Sequence, residues 1–161
     1  MSKPSEAVIQ IRRAKLDDLA ALQQLGTELM QSDRRFDPLF KEDWYFTEPG
    51  KKYILKKIRG RNHVCFVAEK EGRLLGYATG SVNKAETWRP VKRSELGNLY
   101  VVAAYRRHGI GHQLFAAFKA WSKAKGVEKI MVYVTHANTA GIAFYEKNDF
   151  KRQLLVMETD L

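Results

Sequence analysis

Two glycines one residue apart, Gly109 and Gly111, follow a basic cluster and open an apolar run in the stretch YRRHGIGHQL, residues 105–114. A glycine-containing turn before a helix aims backbone N–H groups and the positive end of the helix dipole at one point. Glycines also let a ligand approach the backbone closely, because they carry no side chain. The stretch therefore has the chemistry of an anion site, and it suits a pyrophosphate better than a nucleobase.

A dinucleotide site, a P-loop and a nucleic-acid patch fit this stretch less well. A dinucleotide fingerprint would need a third glycine where Leu114 stands, and a P-loop would need a Gly-Lys-Ser/Thr sequence that is missing. A nucleic-acid patch has the charge in Arg106, Arg107, His108 and His112, but no reading helix or stacking strand surrounds it. A plain helix entry with a solvated basic face stays open on this stretch alone.

The surrounding sequence resembles the acetyl-CoA signature of the GNAT superfamily of N-acetyltransferases, Gln/Arg-x-x-Gly-x-Gly/Ala at a strand-to-helix turn. Arg106, Gly109 and Gly111 match that signature, and the predicted strand LYVV, residues 99–102, precedes them as in the family. Arg107 stands where glycine is common in the family. The resemblance identifies the turn as the place where acetyl-CoA binds.

A second match lies downstream at the separation that the family shows. The residues that fit its Asn…Phe-Tyr…Gly-Phe motif are Asn138, Ala143, Phe144, Tyr145 and Phe150. Asp149 replaces the glycine of that motif. Aspartate adopts positive φ more readily than most residues, so we expect the turn to be kept.

The resemblance implies acetyl-CoA as co-substrate, bound where the central strand splays from its neighbour. Leu99 to Val101 would present backbone groups to the pantetheine arm, with Val101 the strongest candidate. The backbone from Arg107 to His112 would hold the pyrophosphate, and Asn138 and Tyr145 would flank the cofactor. The full cofactor-binding prediction is Leu99, Tyr100, Val101, Arg106, Arg107, His108, Gly109, Ile110, Gly111, His112, Asn138 and Tyr145.

The chemistry implied is direct attack of a primary amine on the thioester in a ternary complex. A primary alkyl amine with a pKa near 10.4 is only about 1 in 2,500 neutral at pH 7, so a base or a lowered amine pKa helps. Glu95, eleven positions before Arg106, is the predicted base, because several family members keep a glutamate there. Tyr145 is the predicted general acid for the leaving thiolate. A surface glutamate and a packing tyrosine are the structural alternatives.

The acceptor is predicted to be a cationic small molecule or a peptide or protein amine. Two groups of residues could build its site: the aromatic Trp44, Tyr45, Phe46 and Trp88, and the acidic Asp33, Asp37, Glu42 and Asp43. The alternative is that these aromatic residues complete the core.

The periodicity of apolar residues predicts the elements that position this chemistry. They are strands at 8–12, 63–70, 73–83, 95–102, 129–134 and 150–160, and helices at 15–31, after Thr47, from 111 to 125 and at 139–148. With the resemblance, this order gives an α/β (α+β) fold: a mixed, mostly antiparallel sheet of six to seven strands, about four helices and a splayed central strand pair. A length of 161 residues suits one domain over 1–161.

Composition narrows the function classes. The net charge of +10 is spread along the chain without a basic tail, which makes nucleic acid an unfavoured partner. A non-catalytic regulatory module that binds CoA or nucleic acid on the same fold is the alternative function. The N-terminus has no apolar signal region and no run approaches a membrane span, so we expect a cytoplasmic protein without a membrane partner.

Neither a metal nor a disulfide is expected. Cys65 is the one cysteine and lies in an apolar run, which predicts a buried, inert thiol. No set of histidine, cysteine and carboxylate residues has ligand spacing, so no metal is predicted. The resemblance is compatible with a homodimer, but no stretch of the sequence specifies one.

Overall fold

One five-stranded sheet organises the computed structural model, which describes residues 8–161. Its strands are β1 (Gln10–Arg13), β2 (His63–Lys70), β3 (Arg73–Asn83), β4 (Arg93–Val101) and β5 (Lys129–Val132). They lie in chain order across the sheet, and all neighbours are antiparallel except β4 and β5, which are parallel. The predicted mixed, mostly antiparallel sheet is present, but within residues 8–161 it has five strands rather than six to seven.

Over the same residues, four α-helices flank the sheet: α1 (Leu19–Asp33), α2 (Glu48–Arg59), α3 (Ile110–Ala124) and α4 (Thr139–Lys147). Helix α2 begins at the predicted cap, because Thr47 Oγ1 accepts a hydrogen bond from Gly50 N at 3.3 Å. Helix α3 ends just before Gly126, which has a φ of 69° and serves as the predicted glycine terminator. Local sequence chemistry thus sets these two helix ends.

The β2–β3 hairpin forms at the predicted turn. Glu71 and Gly72 both have positive φ, at 51° and 77°. A two-residue turn with positive φ at both positions matches the right-handed twist of the strands it joins.

Side chains from the two faces of the sheet enter two cores. On one face α3 contributes Leu114 and Phe118 to a cluster with Leu96 of β4. On the other face Leu22 of α1 packs with Tyr45 and other residues of a second cluster. The sheet is therefore covered by helices on both faces, as the pattern of apolar runs predicts.

The predicted final strand at 150–160 is wrong. Phe150 still packs on the core, with its ring centroid 5.5 Å from that of Phe115, but residues 151–161 form no strand and are exposed. An apolar run becomes a strand only where a partner supplies the ladder. Residues 8–161 of a single chain leave this run unpaired.

The sequence also predicts a buried, inert cysteine, no metal site and no membrane span. Cys65 is a free, buried thiol, and burial raises its pKa to about 12, which confirms the expected inert cysteine. Within residues 8–161, no group of three or more His, Cys, Asp or Glu side chains is placed to hold a metal ion. No helix in the same range has the length and apolar character needed to cross a membrane.

Candidate active site

The open side of β4 is the first component of the site. Strand β5 pairs with β4 only from Arg93 to Leu96, whereas β3 follows β4 as far as Val101. From Gly97 to Val101, β4 thus has a strand partner on one side only among the described residues. This is the strand separation that the sequence resemblance implies.

The hydrogen-bond pattern between β3 and β4 determines which backbone groups of β4 face the open side. Val102 N donates to Leu75 O in β3 at 2.9 Å, and alternate residues of an antiparallel strand point to the same neighbour. The N–H and C=O groups of Tyr100, two residues before Val102, therefore also point to β3, where Tyr100 pairs with Tyr77. Leu99 and Val101 direct their N–H and C=O groups to the open side. Of the three predicted strand residues, Tyr100 has its backbone engaged within the sheet.

A bulge interrupts β4 just before this open stretch. Thr79 pairs with Asn98 while Gly80 pairs with Leu96, so Gly97 is the extra residue. The bulge reverses the alternation of side chains along the strand. As a result Glu95 and Asn98 share the face covered by α2, although their numbers differ by three.

The turn between β4 and α3 is the second component. Arg107 and Gly109 have left-handed backbone conformations, with φ of 68° and 77°, and Gly109 is the N-cap of α3. Alternating conformations of this kind point successive N–H groups into an anion-binding concavity. A Cβ at Gly109 would meet nothing within 4 Å, so the protein itself leaves space over this turn.

The side chains around the turn hold it in place. The Arg106 guanidinium donates through Nε to Val101 O at 2.9 Å and lies 5.4 Å from the Tyr100 ring centroid. Ile110 is buried, and the ring of His112 lies 5.5 Å from that of Phe144. The predicted basic residue Arg106 thus braces the strand against the turn, in addition to adding positive charge there.

The conformation of Arg107 gives a prediction about stability. A non-glycine residue in the left-handed region costs roughly 1–2 kcal/mol, part of which glycine offsets by its larger entropy loss on folding. Arg107→Gly removes the strain and the charge, whereas Arg107→Ala removes the charge alone. We expect Arg107→Gly to exceed Arg107→Ala by up to about 1 kcal/mol in free energy of unfolding, measured with urea.

The two variants should weaken acetyl-CoA binding to a similar, few-fold extent, because both lack the guanidinium. Equal stability of the two variants would show that the strain at this position does not exceed the entropy that glycine loses on folding. A large difference in acetyl-CoA affinity between them would show that the backbone conformation at this position, and not only the guanidinium, controls binding.

Helix α4 supplies the third component. Asn138 caps it by accepting from Gly141 N at 2.9 Å, and Asp149, with a φ of 66°, forms the turn after it as expected. Tyr145 is half-buried and makes edge contacts with Phe144 and Phe150, both at 5.4 Å between ring centroids. Asn138 and Asp149, which come from the two parts of the second motif, thus lie at the two ends of the same helix.

The surroundings of the Tyr145 hydroxyl favour its protonated form. Burial raises the pKa of Tyr145 to about 12, and the Asp33 carboxylate at the end of α1 adds to this rise. Burial also raises the pKa of Asp33, against the lowering effect of Arg35 and Arg106. The charge of Asp33 thus influences the pKa of Tyr145, although the two residues are far apart in the sequence.

Glu95 lies on the α2 face of β4 and is half-buried. Burial lowers the pKa of Lys57, and the Glu95 carboxylate acts in the opposite direction. The Lys57 ammonium also lies 5.1 Å from the Tyr53 ring centroid. A carboxylate in this position is not a fully solvated surface group.

A hydrogen-bonded cluster beside Glu95 was not predicted from the sequence. Asn98 Oδ1 accepts from the hydroxyls of Tyr53 at 2.8 Å, Thr79 at 2.9 Å and Tyr45 at 3.3 Å. The one signal was a polar Asn98 inside the apolar strand ELGNLYVV. Its partners come from α2, β3 and the loop before α2, which no local pattern could connect.

The residues predicted to build the acceptor site do not all lie in one place in the structure. Tyr45 is 1% exposed and belongs to the core, so it is not a pocket wall, whereas Trp88 is 76% exposed on its loop. Glu42 pairs with Arg34 at 2.6 Å, and Asp37 accepts from Leu39 N. Of the four predicted acidic residues, Asp33 is the one whose carboxylate raises the pKa of Tyr145.

Comparison with known proteins identifies the family of this chain. The sequence matches the model of the Acetyltransferase (GNAT) family over residues 26–150. A spermidine N(1)-acetyltransferase from Thermoplasma acidophilum is 26% identical over 151 residues, which cover 89% of this chain and 88% of that protein. A mycothiol acetyltransferase from Thermobispora bispora is 32% identical over 90 residues, which cover 54% of this chain and 30% of that protein.

The fold is shared with solved structures. The aminoglycoside N-acetyltransferase AAC(6')-Iy, in complex with CoA, superposes with a TM-score of 0.74 and 18% identity, over 99% of each chain. Since the family model spans well over half of the chain and the spermidine acetyltransferase aligns along most of it, the chain belongs to the acetyltransferase (GNAT) family and is an acetyl-CoA-dependent N-acetyltransferase.

Proposed function

We propose that this N-acetyltransferase acts on a primary amine of a cationic acceptor, by direct attack on the thioester in a ternary complex. The observation that carries the proposal is the position of Asp33, a half-buried carboxylate that acts electrostatically on Tyr145. A carboxylate in such surroundings is stabilised by a bound cation. An acceptor with more than one amine can place one charge there and present another to the thioester.

The cofactor site follows from the backbone geometry. The outward N–H and C=O groups of Leu99 and the N–H of Val101 suit the amides of a pantetheine arm. The turn from Arg107 to His112, at the N-terminus of α3, suits the pyrophosphate. Asn138 and Tyr145 on α4 would then flank the thioester end.

The chemical roles are divided between two residues. Tyr145 would donate its proton as charge develops on the leaving sulfur, since its raised pKa keeps the phenol protonated. Glu95, on the α2 face of β4, would accept a proton from the acceptor ammonium, directly or through water, and so leave the neutral amine that attacks the thioester. The Lys57 ammonium lies on the same side, since the Glu95 carboxylate opposes the lowering of the Lys57 pKa by burial.

The names of two similar proteins support the choice of a cationic acceptor for this proposal. Spermidine and aminoglycosides, the compounds in the names of two similar proteins, both carry several amines. We extend this property, and not the individual compound, to the present chain.

An acceptor panel tests the proposal. With thiol release as the readout, we expect spermidine, an aminoglycoside and a lysine-containing peptide to exceed neutral and anionic amines by about tenfold or more in kcat/KM, since losing one good charge contact costs about 1.4 kcal/mol. Asp33→Asn should raise KM for the cationic acceptors and leave KM for acetyl-CoA unchanged.

Asp37→Asn is the matched control, because the Asp37 carboxylate accepts from the local backbone at Leu39 N. Turnover with neutral or anionic amines alone would refute the cationic acceptor. An equal effect of the two Asn substitutions would remove the role assigned to Asp33.

A further inference from the structure

A cavity of about 320 Å³ lies where β4 begins and α3 ends. Its walls come from four segments that are distant in the sequence: the turn between α2 and β2, the end of β3, the start of β4 and the end of α3. The polar residues that line it are Asn62, Asn83, Lys84, Lys92 and Lys125. No carboxylate is among the lining residues, so the cavity is a basic site built by the tertiary fold and not a local run of charge.

This basic cavity is separate from the turn before α3, where β4 ends and α3 begins. Helix α3 has 15 residues and so separates the two places by about 22 Å, at a rise of about 1.5 Å per residue. The phosphates of a cofactor held at the turn would therefore not reach the basic cavity.

Two of the three ammonium groups are held in place by the backbone. Lys92 Nζ donates to Lys125 O at 2.5 Å, and Lys125 Nζ donates to Arg61 O at 3.0 Å. Each ammonium has three N–H donors, so two remain on each after these bonds. Both lysine residues are half-buried, which leaves their side chains less free than those of ordinary surface lysines. A ligand in the cavity would thus meet donors that are already positioned.

The positive charge of the basic cavity is not neutralised by ion pairs. Among residues 8–161, no carboxylate pairs with the ammonium of Lys84, Lys92 or Lys125. Glu128 Oε1 accepts from the backbone N–H of Lys92 at 3.0 Å, and the C-terminus of α3 adds partial negative charge. One carboxylate and one helix end beside three ammonium groups leave positive charge in excess, and a cleft lined by one sign of charge attracts the opposite sign.

We propose that the basic cavity binds a small phosphate compound, either a polyphosphate or a phosphate ester, at a site separate from acetyl-CoA. Ammonium groups bind phosphate as point charges, and the Asn62 and Asn83 amides add neutral donors. Donors on several walls suit the many oxygens of a phosphate compound better than the two of a carboxylate. A cationic acceptor would be repelled here, so the cavity is also distinct from the proposed acceptor site.

Calorimetric titration of the protein saturated with CoA tests the proposal. Bound CoA occupies its own site, so any further binding of phosphate compounds reports a second site. At constant ionic strength, we expect pyrophosphate to bind saturably to one site, and more tightly than inorganic phosphate, because it offers more charge and more oxygens. Adenosine monophosphate is the third probe. Tighter binding of this ester than of pyrophosphate would support the site and identify a phosphate ester as its ligand.

Lysine substitutions assign the binding to the basic cavity. Lys92→Gln and Lys125→Gln should each lower pyrophosphate affinity about tenfold, as the loss of a charge-assisted hydrogen bond does. Lys84 is exposed, so Lys84→Gln tests the site without disturbing its packed walls and should lower the affinity a few-fold. Lys123→Gln is the matched control, since it removes the same charge from an exposed position of α3.

The KM for acetyl-CoA should stay unchanged in all four variants. No saturable binding to the CoA complex, or an equal loss of affinity in Lys123→Gln, would overturn the proposal. A raised KM for acetyl-CoA in Lys92→Gln would overturn the separation of the two sites. None of these results depends on the outcome of the acceptor panel.

Discussion

Replacing Gly109 by valine is expected to abolish acetyl-CoA binding while the fold is retained. Gly109 has a φ of 77°, and a Cβ there would meet no protein atom within 4 Å. The open space over the turn is where the pyrophosphate would lie, so the branched side chain would meet the ligand. We expect a loss of affinity of about 100-fold or more, which corresponds to about 2.7 kcal/mol.

Gly72→Val is a close control for this substitution. Gly72 also has a φ of 77°, and a Cβ there also meets nothing within 4 Å, but it lies in the β2–β3 hairpin turn. Both variants therefore carry the same backbone strain, and both should lose stability to a similar extent. Calorimetric titration of the folded variants with acetyl-CoA should show the loss at Gly109 only. Similar affinities for the two variants would place the cofactor phosphates elsewhere.

Local chemistry made the turn before α3 predictable from the sequence. Gly109 begins a helix, Thr47 caps one and Gly126 ends one, and each of these features depends on the conformations that a few adjacent residues allow. The hairpin at Glu71 and Gly72 was predictable for the same reason. Such features need no knowledge of distant contacts.

Features that depend on long-range pairing were not predictable. The bulge at Gly97 arises from the register of β3 against β4, and it places Glu95 and Asn98 on one face. Tyr45 lies in an aperiodic stretch, yet it is buried because α1 and the sheet cover it. The strand predicted at 150–160 is absent because strand formation depends on a partner, and within residues 8–161 no strand pairs with this run.

Tyr145→Phe is expected to lower kcat by about 100-fold, within the range that a general acid contributes. Phenylalanine keeps the edge contacts with Phe144 and Phe150, so KM for acetyl-CoA should change little. Tyr133→Phe is the control, since Tyr133 follows β5 and is 65% exposed. An unchanged kcat in Tyr145→Phe would leave Tyr145 with a packing role only.

The dependence of these effects on pH separates the acid from the base. The raised pKa of about 12 means that Tyr145 keeps its proton until the solution is strongly alkaline. The cost of Tyr145→Phe should therefore be constant between about pH 7 and pH 10, and ionisation of Tyr145 should cause no loss of wild-type activity there. The cost of Glu95→Gln should instead shrink with rising pH, because an amine near its own pKa of about 10.4 needs no base. If both costs follow the same pH curve, the two residues do not have the separate roles that their surroundings indicate.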